Sequence, residues 1–263
     1  MTVRAVPAVS RAIAILRLLG HARAPMGVKA IAEALELVPS TALHILRVLV
    51  AEELVKVDAG KQYTLGMGTL ALARASLESN DFPTRVQPHL DSLSCHYGVT
   101  AIGLELPNLE HMIVVALSRA QTPVRLHVDV GSRFPALISA TGRCVAAFSG
   151  APWSDIRKRF EALRWDAPPT LATWREEVGA TRVNGYAIDD GQYIRGVSIV
   201  AAPVMMPDGT INAVVMVGLR EHMERAGLTA LGEELHRRAL RISHILGGKE
   251  VVAASPRGRP RIG

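Results

Sequence analysis

The chain has 263 residues, 49% of them hydrophobic, with 30 Lys and Arg against 24 Asp and Glu, a net charge of +6. That length admits one or two domains with real cores, while two cysteines, Cys95 and Cys144, exclude a disulfide scaffold and a cysteine zinc cluster and suit a reducing cytoplasm. No uninterrupted apolar run reaches membrane-spanning length, and the N-terminal apolar run is broken by Arg11 and Arg17 and lacks a small-residue cleavage site, so the expectation is a cytoplasmic protein with no leader and no membrane partner.

The positive excess is uneven. Residues 1–80 hold nine Lys and Arg against six Asp and Glu, residues 249–263 hold four against one, and the middle balances. Phosphate contact would use charge at both ends.

Val9 to Leu19 reads as a first helix, with Ala12, Ile13, Leu16, Leu19 and Ala5 or Val9 inward and Arg11 and Arg17 outward. Ala24–Gly27 is a loop. Val28 to Leu35 is a second helix, with Val28, Ile31, Ala32 and Leu35 inward. Glu36–Pro39 is a tight turn, Pro39 standing at a helix entrance. A third helix runs to about Glu53, with Ser40 or its neighbour able to cap it. Ala42, Leu43, Leu46, Leu49 and Val50 form one stripe at about 100° per residue. The opposite side carries Ser40, Thr41, His44 and Arg47, a set suited to the DNA major groove, although a surface helix of any α protein can show the same pattern.

Leu54–Asp58 and Gln62–Leu65 read as strands of a hairpin turning at Ala59–Lys61. Its Lys56 and Lys61 can straddle a DNA backbone or enter the minor groove, and they equally suit an exposed edge. Thr69 to about Ser79 is helical and too apolar to lie alone in water, which calls for a partner such as a second subunit. Ser79–Pro83 is a polar break that places a domain boundary.

Beyond it, Thr84 to Tyr97 is predicted as a helix, then Val99–Leu106, Met112–Ser118 and Val124–Val130 as strands, and Gly131–Pro135 as a loop. Ser139 opens a helix to about Phe148, and two shorter helices follow over Trp153–Leu163 and Leu171–Val183. Asn184-Gly185-Tyr186 turns into a strand. Val197–Met205 and Ile211–Leu219 are apolar, β-branched strands joined at Pro207-Asp208-Gly209. Thr229 to Leu246 is a closing helix. The pattern is α+β, with an antiparallel sheet and helices outside it. The tail Ala253–Gly263 is basic and Gly/Pro-rich, cannot form a core, and is expected to be disordered. Its Arg-Gly-Arg-Pro run looks like a minor-groove hook, and a solubilising tail has the same composition.

The segments Ser10-Arg11-Ala12-Ile13-Ala14-Ile15-Leu16, Pro39-Ser40-Thr41-Ala42-Leu43, Tyr63-Thr64-Leu65-Gly66, Ser139-Ala140-Thr141-Gly142-Arg143, Gly185-Tyr186-Ala187-Ile188-Asp189-Asp190 and Gly196–Val204 stand in a characteristic order and spacing. By these the chain resembles the isocitrate lyase regulator (IclR) family of bacterial transcription factors over nearly its whole length. The resemblance implies a winged helix-turn-helix domain over residues 6–68 (helix-turn-helix 28–47) and a dimerising linker helix over 69–82. It further implies a GAF-like effector-binding domain over 83–248, with the basic tail over 249–263. It implies double-stranded operator DNA and a small-molecule effector as partners, in a homodimer or homotetramer.

Three departures from the family pattern bear on the DNA-binding end. Pro39 stands where a basic residue is frequent, His44 where Arg is frequent, and Glu36 where Gly is frequent in the turn. The resemblance also places the effector at Ser139, Ala140, Thr141, Gly142 and Asp189, with Ile199, Met216 and Gly218 matching strand positions that carry Cys and Ser in members binding small 2-oxo acids. The apolar replacements point to a larger or more hydrophobic organic acid, its carboxylate at the helix start.

Two other functions fit parts of the sequence: a less specific, nucleoid-type DNA-binding protein, and a thiol enzyme using Cys95 or Cys144. Cys95 and His96 are adjacent on a helix, about 100° apart, and so are not arranged as nucleophile and base. No phosphate loop, nucleophile elbow or zinc signature is present, and no catalytic residue, cofactor or metal is expected.

Overall fold

The computed structural model describes residues 6–78, 81–119 and 128–247, and the chain divides after Asn80 into two compact units. The basic tail and most of the strand expected over Val124–Val130 lie outside the described residues; Val128–Val130 are not a strand.

The first unit contains α1 (Pro7–His21), β1 (Met26–Gly27), α2 (Val28–Ala34), α3 (Pro39–Ala51), β2 (Val55–Val57), β3 (Gln62–Leu65) and α4 (Gly68–Glu78). The strands form an antiparallel sheet in the order β1-β3-β2. Its core joins Ile15, Leu19, Ile31, Leu46, Leu49, Val55 and Tyr63, and each fully buried aliphatic side chain stabilises it by roughly 1.5–3 kcal/mol.

Three sequence expectations change here, and that of a glycine-favouring turn at Glu36 is met. Ile15 is fully buried, whereas Ile13 is 41% exposed, because the stripe of α1 that meets the core runs through Ile15 and Leu19, one helical turn apart. The loop expected over Ala24–Gly27 contributes β1, whose Met26 and Gly27 pair with Tyr63 and Gln62. Ser40 does not cap α3. The N-cap is Val38, which lends no side chain, and Pro39 occupies the first helical position, where its missing amide costs nothing. Glu36 sits at φ 53, a left-handed conformation that glycine adopts more easily.

The second unit comprises α5 (Asp81–Tyr97), β4 (Thr100–Glu105), β5 (His111–Leu117), β6 (Arg133–Pro135), α6 (Ser139–Phe148), α7 (Trp153–Phe160), α8 (Leu171–Asn184), β7 (Ala187–Asp190), β8 (Val197–Met205), β9 (Ile211–Leu219), α9 (Arg220–Ala226) and α10 (Leu228–Ile245). Six strands form one antiparallel sheet in the order β6-β5-β4-β9-β8-β7. Both faces of its central strands are buried, which is why β8 and β9 are nearly continuous apolar runs.

Alternation along the strands sorts side chains between two layers. Val200, Ala202, Val204, Val214 and Met216 face α5 and α10, meeting residues such as Phe82, Leu90, Leu235 and Ile242. Val197, Ile199, Ala201, Val215 and Val217 face the opposite side with Ile138, Ala140 and Cys144 of the α6 region. A further apolar cluster joins α6 to α7 and α8 through Ile156, Phe160 and the fully buried Trp174.

Helix α5 starts at Asp81, three residues before the expected Thr84. Pro83 lies in its first turn, where no amide is needed, and Phe82 is buried in the second unit's core. The loop expected over Gly131–Pro135 ends in β6, which pairs with β5 as an edge strand, where a sheet tolerates proline. Helix α9 was not anticipated. No single helix among the described residues is long and apolar enough to cross a membrane; α2 and α3 pass that test only as a pair, bent by 112° at the tight turn.

Candidate nucleic-acid face and ligand cavity

On α3, Ser40, His44 and Arg47 are exposed and Thr41 is partly so, while Ala42, Leu46 and Leu49 are buried. Hydrophobic spacing thus fixes which side of the helix is offered to solvent. Lys56 is exposed on β2, opposite Thr64. Lys61 is exposed in the hairpin turn at φ 57, its amide donating to the Asp58 carbonyl at 3.1 Å; the Asp58 carboxylate accepts from the Gln62 amide at 2.9 Å. Among the described residues, Arg47, Lys56 and Lys61 have no ion-pair partner, so their charge is available to a polyanion.

In the second unit, a cavity of about 190 Å³ lies between the α6 start and the sheet face carrying Ile102, Leu104, Ile199, Val215 and Val217. Ser139 and Thr141 supply polar atoms to its wall, and Phe134, Met112, Tyr193 and Ile194 complete much of the remainder. Ser139 is buried and held at φ 57, a conformation costing of order 1–3 kcal/mol for a non-glycine residue. Gly142 is required by packing, since a Cβ there would stand 1.9 Å from the Leu137 carbonyl oxygen. The first-turn amides of a helix have no intrahelical acceptor, and those of α6 open beside Ser139 and Thr141, a setting for an anionic oxygen.

Next to the cavity is a buried charge network. Arg143, 1% exposed, donates through Nε to Glu177 at 2.8 Å, through Nη1 to the Ser139 carbonyl at 2.8 Å, and through Nη2 to the Gln192 amide oxygen. Asp189 is fully buried, with Oδ2 3.7 Å from Arg143 Nη1 and Oδ1 accepting from the amides of Gln192 and Tyr193 at 2.9 and 3.2 Å. Burial pushes its carboxyl pKa up, against the lowering effect of Arg143 and the two amides.

Of the residues expected at the effector, Ser139, Thr141 and Ile199 line the cavity. Ala140 and Gly142 shape the helix start behind them, and Asp189 anchors the neighbouring loop rather than the wall. Met216 and Gly218 are corrected. Met216 packs in the core against α5 and α10, and Gly218 abuts Met223 and Val99. The cavity-facing residues of β9 are Val215 and Val217, because a shift of one residue along a strand reverses the face. The register sets that parity: Ile199 pairs with Val217, and partners in register share a face. Tyr193 and Ile194 gave no sequence signal, since they belong to a loop.

Cys144 is buried in α6, its thiol pushed up to about 12 by burial, with Arg143 only partly opposing. It packs in the core as a small buried side chain. Cys95 is exposed on α5. No group of three His, Cys, Asp or Glu side chains among the described residues can hold a metal ion. A larger depression of about 610 Å³ opens around Trp153 and Arg175, away from every residue singled out by the sequence.

Residues 8–59 match the IclR helix-turn-helix domain, and residues 74–244 match the bacterial transcriptional regulator IclR C-terminal domain. The chain is 31% identical over 224 residues to the glycerol operon regulatory protein of Streptomyces griseus, covering 84% of this chain and 87% of that one. It is 24% identical over 254 residues to the HTH-type transcriptional repressor AllR of Salmonella typhimurium, covering 94% and 92%. Among solved structures, an IclR transcriptional regulator from Alicyclobacillus acidocaldarius aligns with a TM-score of 0.75 at 26% identity, covering 93% of this chain and all of that one. An IclR homologue from Microbacterium hydrocarbonoxydans, complexed with 4-hydroxybenzoate, shares the fold with a TM-score of 0.75 at 17% identity, covering 91% and 99%.

Proposed function

Because the chain belongs to the IclR family of bacterial transcriptional regulators, with a helix-turn-helix DNA-binding domain and a C-terminal effector domain, we propose that it binds operator DNA as a dimer or dimer pair and releases or rearranges on that DNA when an apolar or aromatic carboxylic acid enters its second unit. The DNA-reading set is Ser40, Thr41, His44 and Arg47 on α3, with Lys56 and Lys61 of the hairpin contacting phosphate. With Pro39 and His44 in place of bases, Arg47 and the hairpin lysines carry a larger share of the electrostatic affinity.

The observation that carries the ligand class is the cavity wall. Ile102, Leu104, Ile199, Val215 and Val217 provide an apolar bed, and the polar atoms gather at the α6 start with Ser139 and Thr141. Such a site suits a molecule that is apolar at one end and anionic at the other. The fold-level likeness to a 4-hydroxybenzoate-bound protein is compatible with this class.

Titrating the full-length protein with benzoate, phenylacetate, isovalerate, pyruvate and glyoxylate by calorimetry tests the proposal. Binding of one or more of the first three, and weaker binding of the last two, is the expected outcome; tight binding of the small oxo acids alone overturns the ligand class. A mobility-shift assay on the DNA upstream of its own gene, with random competitor, tests the operator. Equal loss of binding to any competitor would instead favour a nucleoid-type protein.

A further inference from the structure

Residues 191–196 join β7 to β8, with Tyr193 and Ile194 in the cavity wall. The segment starts and ends on glycines at φ 79 and φ 77, and a Cβ on Gly196 would meet nothing within 4 Å. The loop closes on the strands through the Gly191 amide to the Val197 carbonyl at 3.0 Å and the Arg220 amide to the Gly196 carbonyl at 2.9 Å, and its middle bonds to the segment at Asp166 and Ala167. The Asp166 amide donates to the Tyr193 carbonyl at 3.3 Å, the Ala167 amide to the Gln192 carbonyl at 2.9 Å, and the Arg195 amide to the Asp166 carboxylate at 3.0 Å.

Two consecutive side chains of this loop face different surroundings. Tyr193 lines the cavity, and among the described residues its hydroxyl makes no hydrogen bond. Gln192 reaches the network outside the cavity, accepting from Arg143 and donating to Glu177 of α8 at 3.4 Å. Their amides share one acceptor, Asp189 Oδ1, so displacement of one residue is felt by the other.

We propose that residues 191–196 form the effector-reading loop of the cavity, in which the Tyr193 hydroxyl selects the ligand's carboxylate and Gln192 passes occupancy to α6 and α8 through Arg143 and Glu177. Tyr193 is the specificity-determining contact and Gln192 a positioning residue. A ligand that engages the phenol shifts the loop about its glycine pivots, and the Gln192 amide then alters its bonds to Arg143 and Glu177. Burial raises the Tyr193 pKa, with Asp166 and Asp189 adding to it, so the phenol keeps the proton it must donate.

The assignment rests on the cavity reading above, and its test separates the two. Benzoate is the probe, on full-length wild type, Tyr193→Phe and Gln192→Ala, by calorimetry and by amide hydrogen exchange of α8. Tyr193→Phe should raise the benzoate Kd about tenfold, the value of one hydrogen bond to a charged group. Gln192→Ala should leave that Kd within about twofold but abolish the benzoate-induced change in α8 exchange. An unchanged Kd in Tyr193→Phe, or an α8 response surviving in Gln192→Ala, overturns the loop assignment while the cavity reading stands. Failure of benzoate, phenylacetate and isovalerate alike to bind the wild type overturns both.

Discussion

Arg143 shows how a single buried cation fixes its surroundings. It compensates two carboxylates, Glu177 at 2.7 Å and Asp189 at 3.7 Å, while 1% exposed itself. Replacing it with methionine fills the volume but strands both acids, so Arg143→Met should lower unfolding stability by about 3–5 kcal/mol in urea titrations. A loss below about 1 kcal/mol would mean that the network contributes little. The neighbouring Cys144 thiol, held near 12, should be silent to a disulfide reagent in the native protein, which titrates only Cys95; the second thiol should appear on denaturation. His236 gives the pH dependence. Burial lowers its pKa below 6.5, the Gly185 backbone partly opposing. The unfolded chain therefore binds its proton more tightly than the folded one. The stability this neutral histidine contributes is fully present above the unfolded value of 6.5 and is lost as pH falls through the lower folded value. The Tm difference between wild type and His236→Gln should shift against the wild type below about pH 6.5 and stay constant above it.

Among the elements, the α2–turn–α3 unit is defined by short-range signals, and its weak point is local as well. Glu36 holds a left-handed backbone conformation on an exposed turn, so Glu36→Gly should raise stability by about 1 kcal/mol, read as a higher urea midpoint at unchanged slope. On α3 itself, Arg47→Ala should weaken binding to every DNA sequence and reduce the salt dependence by about one phosphate contact. Thr41→Ala should cost about 1–3 kcal/mol of discrimination between operator and competitor if its side chain meets a base. The existence of these helices was legible because Ala42, Leu46 and Leu49 repeat at helical spacing. The face of α1 was not, because Ile13 and Ile15 are equally apolar and only packing against other elements distinguishes them.

For the molecule as a whole, two units with separate cores carry the two tasks. In the first unit, α4 displays Leu70 at 57% and Leu72 at 64% exposure, after Met67 at 75%. Apolar side chains this exposed on one short helix are the surface a second subunit would cover. On the proposed dimer, Leu72→Glu should give a smaller species in sedimentation, with affinity for the proposed operator falling because two half-sites are no longer read together. An unchanged mass would move the dimer contact elsewhere.

Hydrophobic periodicity, turn residues and the order of short segments determined from sequence alone that this chain pairs a helix-turn-helix unit with an α+β unit, because such signals act within a few residues of one another. They also located the α6 start and the solvent-facing side of α3. Tertiary structure alone decided the rest of the cavity wall, beyond Ser139, Thr141 and Ile199. Strand parity places Val215 and Val217 there and turns Met216 and Gly218 away, and the β7–β8 loop adds Tyr193 and Ile194 to the wall. Those choices depend on strand pairing and loop closure between segments far apart in the chain, where one residue of register exchanges the inside of the site for its outside.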